Sequence, residues 1–197
     1  MPRIKKLELD EWDKDLREMT AADSGTALEQ GIMRMWAHTP EISKGIVALG
    51  GALKAHRSLP DRLVELVRLR VAFHNQCRSC MAIRYQDGVE AGIDEDLVCS
   101  LEKPQEASDL SEAEKAAINY GELFATNHLA INDSVYDNLR KYFSEEEIVE
   151  LSITVAWFVG MGRLAATYHM VEELPKAFQN EDGNQLTPWN EESIVVR

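Results

Sequence analysis

Between Leu63 and Ala72 the sequence reads Leu-Val-Glu-Leu-Val-Arg-Leu-Arg-Val-Ala, and a helix through that run is apolar around most of its circumference. Such a helix cannot lie on a surface; it has to be central, with other helices packed around it. Ser58 ahead of Pro60 and Asp61 supplies its start. Near its middle stands one carboxyl, Glu65. An acid in that position is expected to have a raised pKa and to hold or deliver a proton, unless it pairs with Arg62 or Arg68, each three residues away, as an ordinary surface ion pair.

The surrounding sequence offers the helices that would wrap this one. A short polar helix is predicted over Asp10–Thr20. Leu28, Ile32, Met35 and Trp36 fall at helical spacing over Ala27–Ala37. Pro40 opens a helix to about His56, with Ile42, Ile46, Leu49 and Leu53 expected inward. A further helix is predicted over Cys77–Ala91, with Gly92 as the residue that ends it, and Asp94 caps a short helix to about Leu101. Ser111-Glu112-Ala113-Glu114 and Ser144-Glu145-Glu146-Glu147 are capping boxes. They open helices to about Thr126 and Gly160, and Asp133 caps one between them, Ser134–Tyr142. The last helix is expected over Arg163–Phe178, continuous with its predecessor or kinked at Gly160/Gly162. The polar stretch Lys103–Asp109 divides the chain into an N-terminal helical half, 1–102, and a C-terminal half of the same domain, 103–178. Residues 179–197 read as an arm that docks on a neighbour. A shift of 85 residues lays Val64-Glu65-Leu66 on Val149-Glu150-Leu151 and Phe73 on Phe158, as a duplicated hairpin would, or two amphipathic helices by coincidence.

The charge narrows the partners. With 34 acids against 21 bases the formal net charge is −13, a field that repels phosphate backbones and anionic membranes. The opening Met-Pro-Arg-Ile-Lys-Lys-Leu has no apolar core of a signal peptide, and the apolar stretch Ile153–Met161 is too short to span a bilayer. A cytoplasmic location, with no nucleic acid or membrane partner, is expected. Broad apolar helices on so acidic a chain point to burial between copies, a homo-oligomer.

Three cysteines are present, and two of them form Cys77-Arg78-Ser79-Cys80. In a reducing compartment such a pair suggests redox or metal chemistry rather than a structural bridge. Two cysteines three apart at a helix start share a face and are close enough to bridge. The unpaired N–H groups of the helix start favour the thiolate, which is the nucleophile. One sulfur then attacks and the other resolves. Arg84, four residues after Cys80, would lie on the same helical face and stabilise that thiolate as a fixed cation. The bland alternatives are a cysteine pair packed as small hydrophobes and Arg84 as a solvated helix residue. Zinc on His74, Cys77 and Cys80 lacks a second ligand pair, so neither metal nor cofactor is expected. Cys99, beside Val98 and Leu101, reads as core.

Leu63 to Ala72, then Asn75-Gln76-Cys77-Arg78-Ser79-Cys80, then Glu90-Ala91-Gly92-Ile93 resembles the carboxymuconolactone decarboxylase and alkylhydroperoxidase D family. The likeness extends over about 1–178, through Trp36-Ala37-His38-Thr39-Pro40 and Gly162-Arg163-Leu164, and is specific at 59–93. It implies an all-α, alkylhydroperoxidase D-like helical bundle that assembles as trimers or hexamers. In the alkylhydroperoxidase branch the matching set is a glutamate (Glu65), two cysteines (Cys77, Cys80) and a histidine four residues on, whose place Arg84 takes. Arginine stays charged and cannot relay a proton, and Ser79 stands where a histidine sometimes lies between the cysteines.

The reading that follows is a thiol-dependent, peroxiredoxin-type oxidoreductase. Cys80 attacks a hydroperoxide, Cys77 resolves, Arg84 stabilises the thiolate, Glu65 manages the proton, and an external dithiol resets the pair. The alternatives are a lyase on a small carboxylated metabolite, bound by His38, Arg84 and Arg163, and an oligomeric redox-sensing scaffold without turnover.

Overall fold

The structure is a computed structural model that describes residues 2–180 and 184–197; the part of the expected arm at 181–183 lies outside them. The α-helices are α1 (Lys14–Met19), α2 (Ala27–Gln30), α3 (Met33–Trp36), α4 (Pro40–Ala55), α5 (Asp61–Asn75), α6 (Arg78–Ala82) and α7 (Gln86–Glu90). They continue as α8 (Glu95–Ser100), α9 (Glu112–Thr126), α10 (Asp133–Leu139), α11 (Glu145–Tyr168) and α12 (Lys176–Gln179). Two short strands, β1 (Ile83–Tyr85) and β2 (Ile194–Val196), pair in parallel. The fold is the helical bundle that the sequence predicts, with one short two-stranded parallel pairing added to it.

α5 is the central helix that its composition requires. Leu66, Val67, Leu69 and Val71 are buried against Ala117 and Ile118 of α9 and Leu151 and Val155 of α11. This one cluster joins residues from both sides of the polar stretch at 103–109. Each fully buried Leu here contributes about 1.5–3 kcal/mol. Close approach of α9 depends on Gly121, since a Cβ there would come within 3.1 Å of Val67. Both capping boxes form, Ser111 with Glu114 and Ser144 with Glu147. Asp94 caps α8 through the Leu97 N–H, and Gly92 sits at φ +91° just past α7.

α11 runs without a break through Gly160 and Gly162. It is long and apolar enough to match a membrane span by length and composition. Yet it begins with three glutamates, and Ile148, Leu151, Val155 and Val159 pack into the core.

The structure departs from the sequence reading at several places. The helix expected over 27–37 is two short ones, because Gly31 adopts φ +46° between them. α1 starts only at Lys14, capped by Asp13. α10 is capped by Asn132 rather than Asp133 and stops at Leu139. The helix expected to reach Phe178 ends at Tyr168, where His169 turns into the left-handed region. α4 does not turn its apolar stripe inward: its one buried residue is Ser43, donating to the Trp36 carbonyl at 2.7 Å, while Ile42 and Leu49 are exposed.

The largest departure is at 77–91. The chain leaves the helix at Ile83, forms β1, and re-enters helix at Gln86. Its strand partner is β2, with Ile83 facing Ile194 and Tyr85 facing Val196. The arm therefore docks on its own chain. Trp189 is buried against Phe73 and Arg70, and the Gln76 side-chain amide both donates to and accepts from the Leu186 backbone.

Candidate active site

The cysteine pair is placed by the end of α5. Gln76, in the left-handed region at φ +50°, stops the helix, and the Cys77 N–H still reaches the Ala72 carbonyl at 3.2 Å. Cys77 is then the N-cap of α6, its sulfur accepting from the Cys80 N–H at 3.3 Å. The two cysteines are joined as a disulfide with Cα atoms 5.2 Å apart. They are not equivalent. Cys77 is 0 % exposed, whereas Cys80 reaches the wall of a cavity of about 580 Å³. Because α6 has only five residues, the thiol environment is set by this single N–H more than by a long helix dipole.

The cavity is lined largely by apolar groups, among them Trp36, Trp157, Phe158, Met33, Met161 and Leu174. The Trp36 indole N–H is buried there and has no hydrogen-bond partner among the described residues. Asn75 supports the wall: its amide donates to the Phe158 carbonyl at 3.0 Å, and a Cβ on Gly162 would meet it at 2.5 Å. Val196 and Arg197 of the arm also line the cavity. Arg197 is tied to Glu29 at 2.6 Å and to the Ser24 carbonyl at 2.7 Å. The Glu29 carboxyl is pulled down to about 2, by that arginine first and then by the Thr26 N–H.

Glu65 and Arg84 are placed otherwise than their spacing suggested. Glu65 is buried, and its two oxygens accept from Nε and Nη2 of Arg68 at 2.6 and 2.7 Å. The carboxyl is therefore not an isolated acid in an apolar helix, nor is the pair a surface one. α7 presses Gly88 onto Glu65, where a Cβ would come within 2.7 Å of the glutamate Cγ. Arg68 then bridges onward, Nη1 to the Cys80 carbonyl and Nη2 to the Ile83 carbonyl, both at 2.7 Å. Tyr85 stacks with it, its ring centroid 4.8 Å from Cζ. Burial disfavours the guanidinium's charge, but the Glu65 carboxylate outweighs that and raises its pKa above the ordinary arginine value.

Arg84 is 2 % exposed and lies in β1, where alternate residues face opposite ways. Ile83 and Tyr85 line the cavity; Arg84 does not. Its Nε and Nη2 both meet Glu95 at 3.0 Å, and it donates to the carbonyls of Met81 (2.7 Å) and Pro188 (2.8 Å). It fastens α8 and the arm, and none of its hydrogen bonds goes to a sulfur. Arg68, which the sequence reading passed over as a surface partner, is the cation beside Cys80. Its signal was available: a charge inside so apolar a helix has to be buried with its counter-charge.

The other candidates separate too. His38 is exposed with its ring nitrogen 3.0 Å from the Lys5 carbonyl. Arg163 binds the Asn75 side chain and the Ala125 carbonyl. With Arg84 on Glu95, these three engage separate partners and none lines the cavity. His74 lies 3.4 Å from Glu122, which also pairs with Arg70 at 2.9 Å. Among the described residues no cluster of three metal-ligating side chains occurs. Cys99 is free and partly buried against the core, its sulfur donating to the Asn190 side chain at 3.4 Å.

The structure is a helical bundle that carries a paired dithiol at the wall of an apolar cavity, and known proteins are similar to it in part of the sequence and in the fold. Residues 40–123 match the carboxymuconolactone decarboxylase family. An uncharacterized protein of Mycobacterium tuberculosis is 32 % identical over 125 residues, 61 % of this chain and 43 % of its own length. The chain thus spans less than half of that relative. The fold matches an alkylhydroperoxidase AhpD core structure, an uncharacterized peroxidase-related protein from Ralstonia eutropha, with a TM-score of 0.71 at 19 % identity over 90 % of this chain and 94 % of that one. It equally matches the debrominase Bmp8, solved as a C82A variant with 2,3,4-tribromopyrrole, with a TM-score of 0.71 at 16 % identity over 90 % and 96 %.

Proposed function

We propose that the protein is a thiol-dependent, peroxidase-type oxidoreductase that reduces organic hydroperoxides with Cys80 and Cys77. The observation that carries this reading is the asymmetry of the pair: Cys80 at the cavity wall, Cys77 wholly buried and bonded to it. The Cys80 thiolate attacks the distal peroxide oxygen, Cys77 attacks the sulfur of the resulting sulfenic acid and displaces its oxygen as water, and an external dithiol reduces the disulfide. Arg84 takes no direct part in this scheme, and Glu65 acts by holding Arg68. The size and apolar lining of the cavity favour an organic hydroperoxide over hydrogen peroxide. The lyase reading loses its carboxylate pocket, since His38, Arg84 and Arg163 engage separate partners.

The active form is proposed to be a homo-oligomer. Val149 and Ile153 of α11 are exposed alongside Ile42 and Leu49 of α4. The two helices are neighbours, a Cβ on Gly50 coming 3.3 Å from the Trp157 ring. A second copy covering these exposed side chains would bury them.

The test is turnover. With a dithiol donor present, the protein should consume many equivalents of an organic hydroperoxide, and Cys77→Ser or Cys80→Ser should abolish this. Oxidation that stops at one equivalent per dithiol would favour the redox-sensing scaffold.

A further inference from the structure

Arg68 carries a donor that the described residues leave unused. A guanidinium has five N–H groups. Nε gives its one to Glu65, Nη2 gives its two to Glu65 and the Ile83 carbonyl, and Nη1 gives one to the Cys80 carbonyl. One Nη1 N–H remains. The same residue lines the cavity together with Cys80, so the remaining donor belongs to a group anchored on the backbone of the reacting cysteine.

The guanidinium is also unable to turn away. Both Glu65 oxygens grip it, Gly88 backs the glutamate, and Tyr85 covers its face. Arg197, another cation at the cavity, has a side chain 66 % exposed and is engaged by Glu29; that of Arg68 is 8 % exposed. A buried donor held in a fixed position stabilises developing charge without reorganising, which is the condition for an oxyanion hole.

Building on the peroxidase reading, we infer that Arg68 is a catalytic residue whose free Nη1 N–H receives the departing oxygen of an organic hydroperoxide, with Glu65 as its positioning residue. The Cys80 thiolate forms a bond to the distal oxygen as the O–O bond breaks. The electron pair leaves on the proximal oxygen as an alkoxide, which accepts the Arg68 hydrogen bond and takes a proton from water. Cys80 is left as the sulfenic acid. The Cys77 thiolate then attacks its sulfur, the S–S bond forms as the S–O bond breaks, and the departing hydroxide takes up the proton that the Cys77 thiol gave to solvent on ionising and becomes water. In sum the hydroperoxide is reduced to alcohol and water by two electrons from the dithiol, which the external dithiol later returns.

The experiment compares substrates whose leaving groups differ. tert-Butyl hydroperoxide expels a strongly basic alkoxide, and peracetic acid expels a weakly basic acetate that needs little help. Single-turnover oxidation of reduced protein is followed for wild type, Arg68→Lys, and the double variant Arg68→Met with Glu65→Leu, which removes both buried charges together so that neither is orphaned. Loss of one oxyanion donor costs on the order of 100-fold, so the double variant should slow the alkyl hydroperoxide by about that factor while peracetic acid slows less than about threefold. Arg68→Lys keeps a charge but loses the fork, and should show the same bias more weakly; it decides the question if the double variant does not fold. Equal slowing of both oxidants, or of neither, overturns the role of Arg68 while leaving the peroxidase reading intact. A wild type inert to both oxidants would overturn the peroxidase reading and this inference with it.

Discussion

Replacing Arg84 by methionine separates two roles for this residue, partner of the thiolate and clamp on the arm. Methionine keeps much of the apolar stem and removes the guanidinium. The loss orphans the Met81 and Pro188 carbonyls, buried contacts at 2.7 and 2.8 Å, at a cost of about 1 kcal/mol each. The Glu95 pair adds about 1 kcal/mol more, discounted because the Glu95 side chain is 48 % exposed and rehydrates when abandoned. A total of about 3 kcal/mol corresponds to a fall in Tm of about 6–12 °C for a chain of this size. The assay is thermal and urea unfolding of the oxidised protein by circular dichroism, with limited proteolysis of the arm. The arm should become susceptible, while the rate at which reduced Cys80 reacts with peroxide in the folded protein changes little. An unchanged Tm together with a large drop in that rate would refute the reasoning and return Arg84 to the thiolate.

Further outcomes follow from other contacts. The Glu122 carboxyl is drawn to about 2 from 4.5, by contact with His74 first and then by Arg70 against an opposing effect of burial. Because the folded value lies below the ordinary one, this stabilisation is whole above about pH 4.5 and is lost as the pH falls toward 2. Glu122→Gln should therefore cost about 1–2 kcal/mol at pH 7, allowing for solvent screening, and much less at pH 3, read as Tm against pH. Light scattering should give a particle larger than the 22.3 kDa chain, and Ile153→Lys should shrink it; a monomer at every concentration would remove the proposed interface. Leu66→Ala, at the fully buried centre of α5, should lower stability by about 2–5 kcal/mol in urea unfolding.

Much of the bundle was legible because its signals are local. The crowding of Leu and Val over 63–72 marks α5, and two capping boxes mark the starts of α9 and α11 to the residue. What escaped depended on distant partners or on backbone freedom. Ile83-Arg84-Tyr85 reads as helix until Ile194-Val195-Val196, more than a hundred residues away, is laid beside it. That switch from a period of 3.6 to 2 carries Arg84 off the thiol's side. Gly31 likewise breaks a well-spaced apolar pattern through its positive φ. The cysteine pair was visible from spacing alone, but the cation beside it was not. Helical spacing named Arg84 for that role and Arg68 only as an ion-pair partner of Glu65, and the carbonyls of Cys80 and Ile83, which Arg68 reaches, single Arg68 out.

The asymmetry of the dithiol is tested most directly by trapping the first oxidised species. In Cys77→Ser the resolving sulfur is gone, so one equivalent of organic hydroperoxide should leave a sulfenic acid that a cyclic 1,3-dicarbonyl reagent captures. Peptide mass spectrometry should then place the adduct on Cys80, with Cys99 still a free thiol, while Cys80→Ser treated alike should yield no adduct on Cys77. An adduct on Cys77 in Cys80→Ser at a comparable rate, or one on Cys99 in either variant, would contradict the assignment of Cys80 as the attacking residue.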